Sequence, residues 1–262
     1  MDILQGIILG IIQGLTEFLP ISSSGHLVLF QQIFGLKEGV ATFDIAVHLA
    51  TLVAVVAVFR KDIIEIIKKP FSKLTLLILV GTIPTLAIAL ALKNVIEELL
   101  HSGASLGVEF IITGLILWLA ESIKTKNKGE KETTMADAAL IGIAQGIAIL
   151  PAISRSGLTI AGALFRGLNR EFAARFSFLL SIPIILAAAA DEGLDLVKNS
   201  SAIQIEAMPL LLGMVAAAIS GYFAIKFMLK ILSKGNLRTF SYYVFVLGAL
   251  IVLDQLFFHI YF

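Results

Sequence analysis

Residues 13–26 read Gln13-Gly14-Leu15-Thr16-Glu17-Phe18-Leu19-Pro20-Ile21-Ser22-Ser23-Ser24-Gly25-His26, an apolar helix that stops at a proline and a run of serines. The pattern returns at 145–157 as Gln145-Gly146-Ile147-Ala148-Ile149-Leu150-Pro151-Ala152-Ile153-Ser154-Arg155-Ser156-Gly157. In both copies Gln-Gly precedes Pro and then Ser-Gly, the spacing from the Gln to the last Gly is the same, and the second copy begins halfway along the chain. A helical membrane span needs about 20 apolar residues to cross about 30 Å of hydrocarbon. The apolar runs on either side of each break are too short for that. Residues 1–40 and 136–168 therefore each predict a re-entrant helical hairpin with a polar tip.

Beyond these two segments, windows near 43–59, 75–92, 106–120, 172–190, 208–225 and 240–257 are long and apolar enough to predict six crossings. Three follow each hairpin. Three is odd, so the second copy enters the membrane from the opposite side to the first. The expected fold is an all-α integral membrane protein, one membrane domain over 1–262, built as an inverted repeat of 1–130 and 131–262. Composition agrees: 58% hydrophobic and 15% charged residues, with a mean hydropathy of +0.96, leave no stretch polar enough for a soluble domain. The net charge of +1 gives no reason to expect nucleic acid, and zero cysteines exclude disulfides, thiolate metal sites and cysteine nucleophiles. Met1-Asp2 supplies no basic region ahead of the first apolar run, so that run is expected to be retained rather than cleaved.

Basic residues are segregated. Arg60, Lys61, Lys68, Lys69 and Lys73 fall in one loop, Lys124, Lys126, Lys128 and Lys131 in another, Arg166, Arg170 and Arg175 after the second hairpin, and Lys226, Lys230, Lys234 and Arg238 in the last group. The alternate loops carry only Lys93 and Lys198. Cytoplasmic loops collect Lys and Arg, so both termini and the mouth of the first hairpin are expected outside.

Ionisable groups at membrane depth are costly and point to function. Gln13 and Glu17, four apart, share one helix face near its Pro20 end. Arg155 sits in the other tip, so tips that meet at the midplane would bring Glu17 and Arg155 into one cavity. Ser22, Ser23 and Ser24 before Gly25, and Ser154 and Ser156 around Arg155, are good N-caps for the short helices that follow. Two helix N-termini converging with an arginine make an anion site suited to phosphate. In that reading Ser22, Ser24, Ser154, Arg155, Ser156 and Thr159 bind phosphate, and Glu17, His26, Ser23 and Arg155 are catalytic. A buried Glu–Arg latch between the halves is the plainer alternative.

The stretch from Gln13 to His26 resembles the (E/Q)xxxE and SSxGH region of the undecaprenyl-diphosphate phosphatases, the BacA or UppP family, and Pro151 to Thr159 resembles their PGxSRSxxT motif. Phe43-Asp44 with His48-Leu49 and Phe59-Arg60-Lys61-Asp62 is also similar. The resemblance implies a plasma-membrane enzyme that cleaves a polyprenyl diphosphate to the monophosphate and phosphate. Such an enzyme would recycle the lipid carrier of cell-envelope glycan synthesis, confer bacitracin resistance and open its site to the extracytoplasmic side. It further implies a divalent cation, Mg²⁺ or Ca²⁺, on Glu17 and Gln13. Gln13 stands where the motif also takes Glu, and Ala152 where it takes Gly, so that turn is expected to need no positive φ. The sequence neither requires nor excludes a homodimer.

A lipid flippase or secondary transporter on the same inverted repeat is the rival reading; it would need a substrate site but not a combined base, acid and phosphate cradle. Water activated by Glu17 is favoured over Ser23 as nucleophile. Orientation is testable because the chain has no background thiol: single cysteines at Gly103 and Ser200 should label from outside and one at Asn127 should not. Labelling at 127 without labelling at 200 would invert the orientation.

Overall fold

The computed structural model describes residues 1–36, 40–102, 104–123, 127–198, 206–234 and 236–261. Lys124, Lys126, Gly103 and Ser200 lie outside the described residues. The described chain is helical: α1 (Ile3–Phe18), α2 (Ser23–Ile33), α3 (Val40–Val58), α4 (Arg60–Lys68), α5 (Lys73–Ser102), α6 (Leu106–Glu121), α7 (Met135–Ile147), α8 (Arg155–Phe165), α9 (Arg170–Lys198), α10 (Ala207–Lys234) and α11 (Arg238–Leu253).

The helices of both broken segments carry side-chain caps at their starts. Asp2 caps α1, accepting from the Gln5 amide while the Gln5 side chain accepts from the Asp2 amide, and Thr134 with Asp137 forms the same reciprocal box at α7. Ser22 caps α2 and Ser154 caps α8, each accepting from the amide three residues on. Ala152 is absent from the positive-φ positions, as expected, whereas Ser22 adopts φ +68°, a strained conformation for a residue with a Cβ.

Among the described residues five helices are long and apolar enough to cross a membrane: α3, α5, α9, α10 and α11 with its π-helical extension to Phe258. The sixth expected span, near 106–120, is a helix of only 16 residues, about 24 Å long at the usual rise. Helix α4 is a further difference, because the basic stretch after α3 read as loop. In it, Ile63 and Ile66 pack on the core while Ile64 and Ile67 stay exposed.

Helix α1 packs along α10, α7 along α5, and α6 along α11. The first two contacts are nearly backbone on backbone. A β-carbon on Gly10 would collide with the Gly213 carbonyl oxygen, and one on Gly142 would collide with that of Gly81. Small residues permit such approach, and dispersion and shape then hold the helices where lipid offers no hydrophobic gain. Gly10 and Gly142 are offset along the chain by the same interval as Gln13 and Gln145, and so are Gly81 and Gly213.

At one end of the bundle three arginines tie other elements together. Arg166 Nε bonds the buried Asp137 of α7 at 2.8 Å, Arg170 grips Glu121 of α6 through two bonds of 2.9 and 3.0 Å, and Arg175 pairs with Asp62 of α4. Glu121 also accepts from the Leu237 amide at 2.9 Å. These arginines are structural pins rather than loose loop charges.

Candidate active site

Glu17 is the centre of the site. It is only 4% exposed and lies in the last turn of α1, where the helix stops at Leu19-Pro20. Its Oε1 is paired with the Arg155 guanidinium, and its Oε2 accepts from Ser23 Oγ at 2.5 Å and from Gln13 Nε2 at 2.9 Å. His48 Nε2 stands 3.6 Å from the same oxygen. A carboxylate removed from water needs this density of donors. The residues expected to meet do meet: Gln13 and Glu17 from α1, Ser23 from the start of α2, and Arg155 from the start of α8.

The two tips are fastened to each other through serines. Ser24 Oγ donates to the Pro151 carbonyl at 2.5 Å and Ser22 Oγ to the same oxygen at 3.1 Å, while Ser156 Oγ donates to the Leu19 carbonyl at 3.0 Å. Carbonyls at helix breaks have no intrahelical partner, and these hydroxyls supply one. A cavity of about 560 Å³ opens beside them. Glu17, Ser22, Ser23, Ser24, Ser154 and Arg155 line it together with Thr16, Gln31, Asp44, His48 and Gln145, and its remaining wall is apolar, with Ile45 of α3 and Ile184 and Ile185 of α9.

Four sequence-based assignments do not line the cavity: Gln13 lies buried behind Glu17, and His26, Thr159 and Ser156 are placed elsewhere. His26 does not line the cavity. Its Nδ1 faces the Ser22 carbonyl at 2.6 Å, its Nε2 faces the Tyr243 hydroxyl at 2.8 Å, and its ring packs on Phe110 and Tyr243. Both ring nitrogens are thus engaged, Nδ1 within the first turn of α2 and Nε2 across to α11. Thr159 turns inward, donating to the Arg155 carbonyl at 2.8 Å and meeting Ser177 Oγ at 2.5 Å. Ser156 serves the Leu19 carbonyl. Neither lines the cavity.

The histidine that faces the cavity is His48 of α3. Its Nδ1 is 2.7 Å from the Asp44 carbonyl, which puts the proton of a neutral ring on Nδ1 and leaves Nε2 toward Glu17. Gln31 Nε2 holds Asp44 Oδ1 at 2.7 Å. The sequence carried a signal for this pair: Asp44 and His48 are polar residues four apart in an otherwise apolar span. Glu109 of α6 was missed as well; it is buried and accepts from the Ala152 amide at 2.5 Å.

For the expected cation, Gln13 Oε1 is a buried oxygen with no hydrogen-bond partner. With the Glu17 carboxylate it fits a hard cation that takes one or two protein oxygens and completes its shell from phosphate. Among the described residues no cluster of three His, Asp or Glu side chains could hold a metal unaided.

Residues 6–250 match the family model described as bacitracin resistance protein BacA. The chain is 59% identical over 256 residues to a protein of Carboxydothermus hydrogenoformans named undecaprenyl-diphosphatase, covering 97% of this chain and 98% of that one. Proteins of the same name from Halothermothrix orenii and Desulfosudis oleivorans are 45% and 42% identical, covering 97% and 95% of this chain and 98% and 97% of theirs.

The geometry separates the two histidines. His48→Ala should lower kcat/KM about 10- to 100-fold with the thermal midpoint unchanged, the size expected for a lost proton-transfer group. His26→Ala, which opens a hole between Phe110 and Tyr243, should lower the midpoint together with activity. An unchanged kcat/KM for His48→Ala would take His48 out of the chemistry.

Proposed function

Because this chain belongs to the bacitracin resistance protein BacA family, we propose that its cavity hydrolyses undecaprenyl diphosphate to the monophosphate and inorganic phosphate. It is a multi-pass membrane enzyme of the undecaprenyl-diphosphatase type, and returning the lipid carrier to use is what ties it to bacitracin resistance. The observation that carries the reading at the level of residues is one carboxylate, Glu17, touched by a guanidinium on one oxygen and a serine hydroxyl on the other. A transport site has no use for a nucleophile held on a base.

The scaffold in this reading is an inverted repeat of 1–130 and 131–262 with re-entrant hairpins at 1–40 and 136–168. Two pairs of contacts related by the shift that lays Gln13 on Gln145 support it: Gly10 on Gly213 with Gly142 on Gly81, and Ser24 on the Pro151 carbonyl with Ser156 on that of Leu19. With the basic loops inside, the cavity opens to the extracytoplasmic side, and its apolar wall lets the prenyl chain lie toward lipid.

In the mechanism, Arg155 and the N-termini of α2 and α8 hold the diphosphate, since Arg has five donors and can bond Glu17 and phosphate at once. The short Ser23–Glu17 hydrogen bond turns the preference from free water to Ser23. Ser23 Oγ attacks the terminal phosphorus, its proton passes to Glu17, and the bridging P–O bond breaks to release the prenyl monophosphate. Glu17 passes that proton through His48 Nε2 to the departing phosphate oxygen, then takes a proton from the water that attacks the phosphoserine and returns it to Ser23 Oγ as the P–Oγ bond breaks and inorganic phosphate leaves. A divalent cation held by Glu17, Gln13 and phosphate oxygens would neutralise charge on the diphosphate.

Phosphate release from a prenyl diphosphate tests the proposal. The purified protein should turn over, lose activity in excess chelator and regain it with Mg²⁺ or Ca²⁺. Arg155→Lys should lose about 100-fold, because Lys keeps charge but not the planar fork, while Arg60→Lys, exposed on α4, should not. Full turnover in chelator would remove the cation. Failure of Ser23→Ala to lower turnover more than about tenfold, with no trappable phosphoserine on the parent, would return the attack to water.

A further inference from the structure

The second tip, 148–154, is the irregular backbone that delivers Arg155, and it is braced from outside the site. Glu109 of α6 accepts the Ala152 N–H at 2.5 Å. One helical turn on, Thr113 Oγ1 accepts the Ser154 N–H at 3.1 Å and donates to the Ala152 carbonyl at 3.3 Å. Glu109 is 4% and Thr113 0% exposed, and neither lines the cavity. The two side chains thus satisfy three backbone groups within a short stretch, 152–154, that no helix serves. A carboxylate at membrane depth is costly, and a leucine would fill the same space on α6.

Arg155 is the residue directly after this braced stretch and the first of α8. The path of 152–154 therefore sets where its guanidinium starts, while the Pro151 carbonyl next to it is held by Ser22 and Ser24 of the other tip. We propose that Glu109 and Thr113 are positioning residues for the reaction: they fix the second tip so that Arg155 reaches Glu17 and the diphosphate. The proposal rests on the diphosphatase reading of that cavity. Misplacing a group by about 1 Å can cost about 100-fold in rate without removing any reacting atom.

The experiment measures kcat, KM and thermal midpoint with a prenyl diphosphate for Glu109→Gln, Glu109→Leu and Thr113→Val, each in the parent and in Arg155→Lys. Glu109→Gln keeps an oxygen acceptor and should stay within about threefold of the parent. Glu109→Leu and Thr113→Val should lower kcat about 10- to 100-fold. In the Arg155→Lys background the same changes should add less than about threefold, since groups that act through one another are not additive. A loss in Arg155→Lys equal to that in the parent would overturn the proposal, as would a Glu109→Gln as impaired as Glu109→Leu. If Glu109→Leu fails to fold, Thr113→Val, nearly the same shape, carries the comparison. A parent with no turnover would instead sink the diphosphatase reading.

Discussion

Everything in this molecule depends on how two helix breaks satisfy the backbone groups they leave without helical partners. A broken helix exposes carbonyls and amides that cost several kcal/mol each in hydrocarbon unless they find partners. Here each tip supplies the partner for the other: Ser24 and Ser22 reach the Pro151 carbonyl, and Ser156 reaches that of Leu19. The tips are thereby locked face to face, with helix N-termini at Ser23 and Arg155 beside one cavity. The binding site for an anionic headgroup follows from the device that makes the break tolerable.

In the proposed repeat the frame is symmetric and the chemistry is not. The shift that superimposes Gln13 on Gln145 lays Gly10 on Gly142, Gly25 on Gly157 and Ser24 on Ser156, all of them positions that serve packing or capping. The same shift lays Glu17 on Ile149, Ser23 on Arg155 and His26 on Leu158. One half thus contributes carboxylate and hydroxyl while the other contributes the guanidinium, and the Glu17–Arg155 contact brings these groups together. A symmetric pair of carboxylates would repel, and a symmetric pair of arginines would leave nothing to accept the serine proton.

The large features were legible because they are local or periodic. The breaks at Pro20 and Pro151, the serine caps and the i,i+4 pair Gln13/Glu17 each follow from spacing along one helix. The partnership of Glu17 with Arg155 followed from the polarity of both tips. Directions around short helices were harder. His26 and Thr159 sit one turn from cavity residues, but the helix carries them to the side that packs on α11 and α9, and only the neighbours Tyr243 and Ser177 reveal this. Glu109 has its partner far along the chain at Ala152, a pairing that no local pattern encodes. The shortness of α6 was hidden for another reason: Leu106 to Ala120 is apolar except for Glu109 and Thr113, so its composition reads as a full span.

In the proposed mechanism the Glu17–Arg155 pair does chemistry and is not merely a latch between halves. Replacing both members at once separates these roles, because a buried ion pair exchanged for a neutral pair is often harmless to stability even though losing one partner is not. Glu17→Gln and Arg155→Gln should each lower the thermal midpoint, and the double variant should recover it. Phosphate release from a prenyl diphosphate by the double variant should nevertheless stay at background. Recovery of turnover alongside stability would show instead that the pair only fastens the tips.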